Sequence, residues 1–288
     1  MEFSVYTLNA FTKGSKGGNP AGVVLDADKF TDNEMQKIAN HIGFSETAFI
    51  HKSDVADFNI RYFTPNDEVN LCGHATIASF YLLLQNKVVN YGQYLIETKA
   101  GILEVNIEED GRIFLSQALP YFGQEIRREK VLSSLNLELD GLNNELPIQI
   151  VSTGLKDILI PIKNKKILHQ ITPNFDEITS ISKEYGVVGY HLFSLDSQDN
   201  SVVHCRNFAP LHNILEESAT GTSNGALSCY LYKYGVIKGS QSLTFEQGFT
   251  MNCPSEIISK VKINEEREII KIEVGGNCSG LKFHSMTL

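Results

Sequence analysis

The sequence has no run rich in lysine or arginine, and no apolar stretch approaches the ~20 residues that would span a bilayer. With a formal net charge of -9, the chain also lacks the basic face that nucleic acid or an anionic membrane surface requires. The first residues alternate like a strand and lack the charged leader and apolar core of a signal peptide. These absences predict a cytoplasmic protein with no nucleic-acid partner and no membrane partner.

Cysteine and histidine occur without the spacings that mark disulfide frameworks or metal sites. The five cysteines are widely spread and none belongs to a CxxC pair, which favours a reducing compartment. The eight histidines show no HxH or HxxxH spacing, so the sequence predicts no metal site. The spacings GxxxxGKS/T and GxGxxG of nucleotide-binding loops are absent as well.

What is present is an ordinary globular composition dominated by segments that alternate like strands. The 288 residues are 42% hydrophobic and 20% charged, and the length predicts two domains. Two segments of the first half have helical patterns: Asp32–His41, with Thr31 as N-cap, and the mostly apolar, and therefore buried, Ala75–Leu84. The predicted strands of the first half are Phe3–Leu8, Gly22–Leu25, Thr47–His51, Phe58–Phe63, Tyr94–Thr98, Ile102–Ile107 and Ile113–Gln117.

The second half repeats this order of strands and helices without regular βαβ spacing. Helices are predicted near Phe175–Tyr185 and Ser223–Tyr234. The predicted strands lie near Gln149–Pro161, Gly189–Leu195, Ser201–Phe208, Ser242–Phe245 and Glu256–Ile263. This mixture predicts an α+β fold.

An internal repeat relates the two halves at nearly one offset. Arg61-Tyr-Phe-Thr-Pro matches Arg206-Asn-Phe-Ala-Pro, and Cys72-Gly-His-Ala matches Thr220-Gly-Thr-Ser. The offset is too long for a solenoid, whose units have about 20–50 residues. We therefore expect two similar domains that face each other, with a cleft that receives one glycine-led helix start from each.

Those two helix starts are candidate anion sites. A helix N-terminus leaves backbone N–H groups without intrahelical partners, and glycine lets a ligand approach the backbone closely. Gly73 and His74 in the first half, with Gly221 and Thr222 in the second, are therefore suited to bind a carboxylate. The alternative is that both segments are only tight strand-to-helix turns.

Glu46 is the candidate proton carrier. It lies between Phe44 and Phe49, and aromatic surroundings would raise the pKa of its carboxyl toward that of a general acid/base. The alternative is a surface glutamate that follows a helix. The matching stretch of the second half, Gly189–Leu192, carries no acid, which favours one catalytic group.

Five motifs in order resemble the phenazine biosynthesis PhzF-like proteins of the diaminopimelate epimerase superfamily. The motifs are Gly18-Asn-Pro-Ala-Gly-Val-Val, Ser45-Glu-Thr-Ala-Phe, Arg61-Tyr-Phe-Thr-Pro, Cys72-Gly-His-Ala-Thr and Ala219-Thr-Gly-Thr. The resemblance implies two pseudo-symmetric domains, residues 1–117 and 118–279, with a C-terminal strand at about 280–288 crossing back to the first. Each is expected to be a curved, barrel-like sheet wrapped round a central helix, with the active site in the cleft. It also implies a homodimer and an isomerase that uses no cofactor.

In such proteins the residue at the Glu46 position is the acid/base that moves a proton within a small unsaturated or aromatic-precursor carboxylic acid. The resemblance implies that this substrate contacts Asn19, Gly73, His74, Glu217, Gly221 and Thr222, with minor roles for Cys72 and Ser45. Two departures bear on the substrate. Glu217-Ser218 stands where the family has Asp-Pro, and Asn252-Cys253 stands where it has Gly-Arg.

Two alternatives remain open. The true epimerases carry a cysteine at both helix starts, whereas this chain has Cys72 and Thr220. A threonine hydroxyl cannot replace a thiol as the second base, which favours Glu46 acting alone. A Cys72-dependent epimerase or racemase is one alternative, and a non-catalytic binder of a small acidic metabolite is the other.

Overall fold

The computed structural model describes residues 2–195 and 202–287 of the protein. Ser201, the first residue of one predicted strand, and Leu288, the last of another, lie outside the described residues. The chain divides into two compact units. The first comprises Met1–Ser116 with the returning segment Gly275–Leu288, which begins before the predicted residue 280, and the second comprises Gln117–Val274.

Strands outnumber helices along the described chain, as the predicted α+β class requires. The elements of the first half are β1 (Glu2–Ala10), β2 (Asn19–Val24), α1 (Asp32–Ile42), β3 (Thr47–His51), β4 (Phe58–Phe63), β5 (Glu68–Val69), α2 (Gly73–Gln85), β6 (Gly92–Thr98), β7 (Gly101–Ile107) and β8 (Ile113–Gln117). Those that follow are β9 (Tyr121–Ile126), α3 (Glu129–Leu132), β10 (Ile148–Ser152), β11 (Lys156–Pro161), α4 (Lys165–Gln170), α5 (Phe175–Tyr185), β12 (Gly189–Ser194), β13 (Val202–Ala209), β14 (Ile214–Glu217), α6 (Gly221–Lys233), β15 (Gln241–Gln247), β16 (Ser255–Ile263), β17 (Ile269–Gly276) and β18 (Cys278–Thr287). None of the described helices combines the length and the apolar character needed to cross a membrane.

The first unit is a mixed sheet that packs against one buried helix. β1 pairs antiparallel with β2 and with β18, β2 runs parallel to β3, and β4 runs parallel to β6. The remaining pairs, β3–β4, β4–β5, β6–β7 and β7–β8, are antiparallel. Helix α2 contacts β1, β2, β3 and β18 and is apolar on nearly every side, so burial rather than amphipathicity holds it in place.

The second unit repeats the same pairing order. β10 pairs antiparallel with β11, β11 runs parallel to β12, and β13 runs parallel to β15. The pairs β12–β13, β13–β14 and β15–β16 are antiparallel, and α6 contacts β10, β11 and β16. Both units therefore have the same order of parallel and antiparallel strand pairs, and each packs against one central helix.

The sequence repeat corresponds to a repeated interaction. In β4 the guanidinium of Arg61 donates from Nε and Nη2 to the two oxygens of Glu68, at 2.8 Å each. In β13, Arg206 makes the same fork with Glu216, at 2.8 and 2.9 Å. Each guanidinium also lies over a phenylalanine ring two residues later in its strand. The arginine of the repeated motif thus fastens a strand to the short strand that leads to the helix start.

Local signals explain where the two amphipathic helices begin and end. Thr31 forms a capping box with Glu34 at the start of α1, and Gly43 ends it with a φ of 72°. Asn174 accepts a hydrogen bond from the backbone N–H of Glu177 at the start of α5, and Gly186 ends it with a φ of 62°. The predicted N-cap Thr31 and the predicted helix Phe175–Tyr185 are confirmed.

Candidate active site

The start of α2 leaves backbone N–H groups next to open space. The N-cap residue Cys72 is extended, with a φ of -139°, and its side chain makes no capping hydrogen bond. A Cβ built on Gly73 would meet no atom within 4 Å, so the approach to the first turn is unobstructed among the described residues. A helix start with free N–H groups and no steric cover can accept an anionic group.

The ring of His74 gathers four other predicted site residues, and we call these five residues the His74 cluster. Its Nε2 lies 3.3 Å from Oε2 of Glu46 and 3.4 Å from Oγ of Ser45. Its Nδ1 lies 3.4 Å from Nδ2 of Asn19 and 3.4 Å from Sγ of Cys72. Residues from β2, from the turn before β3 and from the start of α2 therefore meet at one imidazole.

Burial decides the charge of His74. The side chain is only 6% exposed, and its burial lowers the pKa of the imidazole, while the nearby Glu46 carboxylate and a hydrogen bond with the backbone of Pro20 oppose that shift. Because proline has no N–H, the imidazole must donate to the Pro20 carbonyl. Desolvation is therefore the main cause of the lowered pKa of His74.

Glu46 lies at the point where the chain enters β3. Its carbonyl accepts a hydrogen bond from the N–H of Gly22 at 3.2 Å, which fixes the backbone, and its side chain is 18% exposed. The ring of Phe49, expected beside this carboxyl, packs edge-to-face against Phe63 in the core at 5.3 Å. The nearest described partner of the carboxyl is therefore the imidazole of His74.

Two residues that the sequence interpretation missed fix the start of α2. The hydroxyl of Thr76 donates to the carbonyl of Cys72 at 2.7 Å and lies 2.6 Å from the hydroxyl of Tyr62. All three residues are buried, so these bonds are protected from water. They hold the backbone on either side of Gly73 against β4. The repeated sequence motif could have pointed to Tyr62, because Tyr62 directly follows the repeated arginine.

In the second unit, Glu217 is bound to the residue before α6. The hydroxyl of Thr220 donates to the Glu217 carboxylate at 2.6 Å. The side-chain amide of Gln247 donates to the Glu217 carbonyl at 2.8 Å and to the Thr220 hydroxyl at 3.0 Å. Gly221 opens α6, and the carbonyl of Thr222 accepts a bond from Thr153 at 3.1 Å. Glu217, Gly221 and Thr222 are thus neighbours at one helix start of this unit.

A buried polar chain follows α6 inward, and the sequence interpretation did not find it. Ser223 donates to Oδ2 of Asp157 at 2.5 Å, and Asn207 donates to Ser223 at 3.3 Å. The amide of Asn207 also lies 3.2 Å from Nδ1 of His191, whose Nε2 lies 3.1 Å from Oδ1 of Asn224. Burial raises the pKa of Asp157 to about 7 and lowers the pKa of His191 to about 4.

Ser223 is not a nucleophile, although it lies in Gly221-Thr-Ser-Asn-Gly225, which has the GxSxG spacing of a nucleophile elbow. A nucleophile elbow exposes its serine at a turn. Ser223 lies inside α6, is 1% exposed and donates its hydroxyl hydrogen bond to Asp157. The motif is therefore a structural coincidence.

Gly189 occupies the place in the second unit that Glu46 has in the first. Ala48 pairs with Tyr62, and His191 pairs with Asn207, the residue that matches Tyr62 in the repeat. Glu46 and Gly189 each stand two positions before the paired strand residue. A Cβ on Gly189 would lie 2.0 Å from the backbone oxygen of Phe208, so no side chain fits there. The absence of an acid at this position of the second unit therefore has a steric cause.

We expect the imidazole of His74 to titrate below its usual pKa of 6.5 and to be neutral at pH 7, because it is buried. In Glu46→Gln its pKa should fall further, since the carboxylate stabilises the imidazolium. Nitrogen-15 ring shifts measured against pH report both values. The matched control Glu34→Gln, which alters the exposed capping box of α1, should leave the His74 titration unchanged. A pKa that rises in Glu46→Gln would contradict the described contact.

Comparison with known sequences identifies the family. The family model "PhzC-PhzF: Phenazine biosynthesis-like protein" matches residues 8–281. An uncharacterized isomerase from Clostridium acetobutylicum is 37% identical over 288 residues, which cover 96% of this chain and 95% of the relative. The trans-2,3-dihydro-3-hydroxyanthranilate isomerase of Pseudomonas chlororaphis is 25% identical over 277 residues, which cover 94% of each chain.

Comparison with solved structures agrees. A PhzF-family phenazine biosynthesis protein from Bacillus anthracis superimposes with a TM-score of 0.91 and 33% sequence identity, covering 100% of both chains. The predicted resemblance and the predicted epimerase-like α+β fold are confirmed. The chain therefore belongs to the PhzF-like phenazine biosynthesis protein family and is an isomerase of that family.

Proposed function

We propose that Glu46 is the general acid/base of this isomerase and that it moves one proton between two carbons of a small unsaturated carboxylic acid. The observation that carries the proposal is the 3.3 Å contact between the Glu46 carboxylate and the buried imidazole of His74 at the start of α2. A partly exposed carboxylate beside a buried, neutral histidine can reach a substrate and still be held in one orientation.

The chemistry consists of proton moves within one substrate. The Glu46 carboxylate takes a proton from an activated carbon, so that a C–H bond breaks and an O–H bond forms while the double bond shifts. The protonated carboxyl then returns the proton to another carbon. The negative charge that develops on the substrate is stabilised by the N–H groups at Gly73. Asn19 and Ser45 orient the imidazole from its two nitrogens.

The substrate class follows from the helix start and from a relative. The Pseudomonas chlororaphis protein is named for trans-2,3-dihydro-3-hydroxyanthranilate, a cyclic unsaturated carboxylic acid. We propose an acid of this class, with its carboxylate on the N–H groups near Gly73. Glu217, Gly221 and Thr222 of the second unit stay predicted substrate contacts in this proposal.

One contact favours a second candidate, the Cys72-dependent epimerase. The Cys72 thiol lies 3.4 Å from Nδ1 of His74, which is the arrangement that activates a thiol. Thr220 stands at the matching place in the second unit, and its hydroxyl donates to Glu217 instead. A Cys72→Ser protein that still exchanges substrate hydrogen with solvent rules out the thiol as the base.

The test is turnover in deuterated water. Purified protein is incubated with a panel of cyclic unsaturated carboxylic acids, including trans-2,3-dihydro-3-hydroxyanthranilate, and products are followed by NMR and mass spectrometry. We expect one acid to be converted to an isomer of the same mass apart from deuterium at the receiving carbon. Acids that raise the melting temperature and are never converted would instead establish the non-catalytic binder.

A further inference from the structure

Three residues of the His74 cluster have the side-chain chemistry of metal ligands and lie close together. One ligand atom each from Glu46, Cys72 and His74 falls within 4.8 Å of the others. The imidazole Nε2 lies 3.3 Å from the Glu46 oxygen and 3.8 Å from the Cys72 sulfur. The spacing of these residues along the chain does not indicate such a group, because the glutamate comes from a different segment and no histidine pair exists.

The separation between the His74 nitrogen and the Glu46 oxygen matches that between two ligands of a tetrahedral zinc ion. Zinc bonds of about 2.3 Å to sulfur and about 2.0–2.1 Å to nitrogen or oxygen place ligand atoms roughly 3.3 to 3.6 Å apart. The nitrogen–oxygen distance already has this value, and the nitrogen–sulfur distance exceeds it by a few tenths of an ångström. The Cys72 sulfur lies closer to Nδ1, at 3.4 Å, than to Nε2, so the Cys72 side chain must rotate toward Nε2 before all three atoms can bind one ion.

The surroundings also suit a metal site. Asn19 and the Pro20 carbonyl orient the His74 ring from outside the ligand group, as the outer partners of metal-bound histidines do. The backbone between Cys72 and Thr76 is fixed by buried hydrogen bonds. The partly exposed Glu46 leaves an entry path, and the open space at Gly73 has room for water as a fourth ligand.

We propose that Glu46, Cys72 and His74 form a three-ligand binding site for Zn²⁺, which water or a carboxylate completes. A thiolate, an imidazole and a carboxylate together select zinc or cobalt over magnesium or calcium, which prefer oxygen ligands. Binding displaces the thiol proton and engages the Glu46 carboxylate. The site itself does not depend on the function proposed above. Its consequence, reversible inhibition of the isomerase by zinc, does rest on that function.

Cobalt titration of tag-free, chelator-treated protein tests the site. Wild type should bind one Co²⁺ and show a thiolate-to-cobalt charge-transfer band together with the intense visible bands of four-coordinate cobalt, and Zn²⁺ should abolish both. Cys72→Ser should lose the charge-transfer band. Cys253→Ser removes a free cysteine of the second unit and should keep it. No band in wild type, or a band that survives in Cys72→Ser, would overturn the proposal.

Zinc affinity measured by calorimetry tests the other two ligands. Glu46→Gln and His74→Asn should each weaken Zn²⁺ binding at least about tenfold, with circular dichroism used to verify that the variants are folded. Unchanged affinity in both folded variants would refute the site. Neither measurement needs a substrate, so each outcome is separate from the test of isomerase activity.

Discussion

Replacing Glu46 by glutamine should lower kcat/KM by about 10²–10⁴-fold on the acid that the wild type converts. The amide has nearly the shape of the carboxylate and can still contact His74, but it cannot accept and return a proton. Deuterium uptake from solvent should fall in parallel, because deuterium enters the product only through the carboxyl group that takes the proton and returns it. Isomer formation and deuterium content measured on the same samples check both expectations.

The matched control for this prediction is Glu34→Gln, which removes a carboxylate from the exposed start of α1 and should keep kcat/KM within about twofold of wild type. A Glu46→Gln enzyme that retains full activity and unchanged deuterium uptake would remove Glu46 from the reaction. His74 would then be the next group to test, since its Nε2 faces the same space.

Replacing Asp157 by asparagine should stabilise the protein at neutral pH and make its stability less dependent on pH. Burial raises the pKa of Asp157 from 3.8 to about 7 in the folded protein. Below the unfolded value both states hold the proton, and the group has no effect. As the pH rises toward 7, Asp157 ionises in the unfolded chain before it ionises in the folded protein, so the free energy of unfolding falls. Once Asp157 is ionised in both states, the free energy of unfolding of the wild type has fallen by on the order of 4 kcal/mol.

Urea unfolding of both proteins across pH 4 to 8 measures this difference. The gap between Asp157→Asn and wild type should open as the pH rises and level off above pH 7. Ser223→Ala is an informative companion, because the Ser223 hydroxyl lowers the pKa of Asp157. Its loss should move the levelling-off to higher pH. Parallel stability curves for Asp157→Asn and wild type would contradict the raised pKa of Asp157 in the folded protein.

The sequence predicted those parts of the fold that depend on local signals. β3, β4, β8 and α5 have the predicted bounds because alternation, caps and a terminal glycine all lie within the element. β9 and β17 were missed. β9 has only one buried residue among six and a glycine that packs against Ile150, so its strand character comes from pairing with β10 and not from its own pattern.

The candidate site also has a part that the sequence predicted and a part that it did not. Gly73 and His74 were predicted because a repeat and a helix start leave a trace in the sequence, and Glu46 was predicted from its aromatic neighbours and from the family resemblance. The contacts of Asp157, Ser223 and His191 leave none, since each bond joins residues far apart in the chain, 66 positions in the case of Asp157 and Ser223. The zinc-ligand geometry of Glu46, Cys72 and His74 likewise depends on the parallel pairing of β2 and β3 and on the position of α2.

The closed space at Gly189 limits how this scaffold could be re-engineered. A duplicated module invites the idea of copying the acid of one copy into the other to create a two-base racemase. The backbone oxygen of Phe208 occupies the place where the first atom of any such side chain would go. A Gly189→Glu exchange would therefore push β12 and β13 apart before it supplied a base. An enzyme with a second base at this position would therefore need a wider separation of β12 and β13, and a single substitution would not be enough.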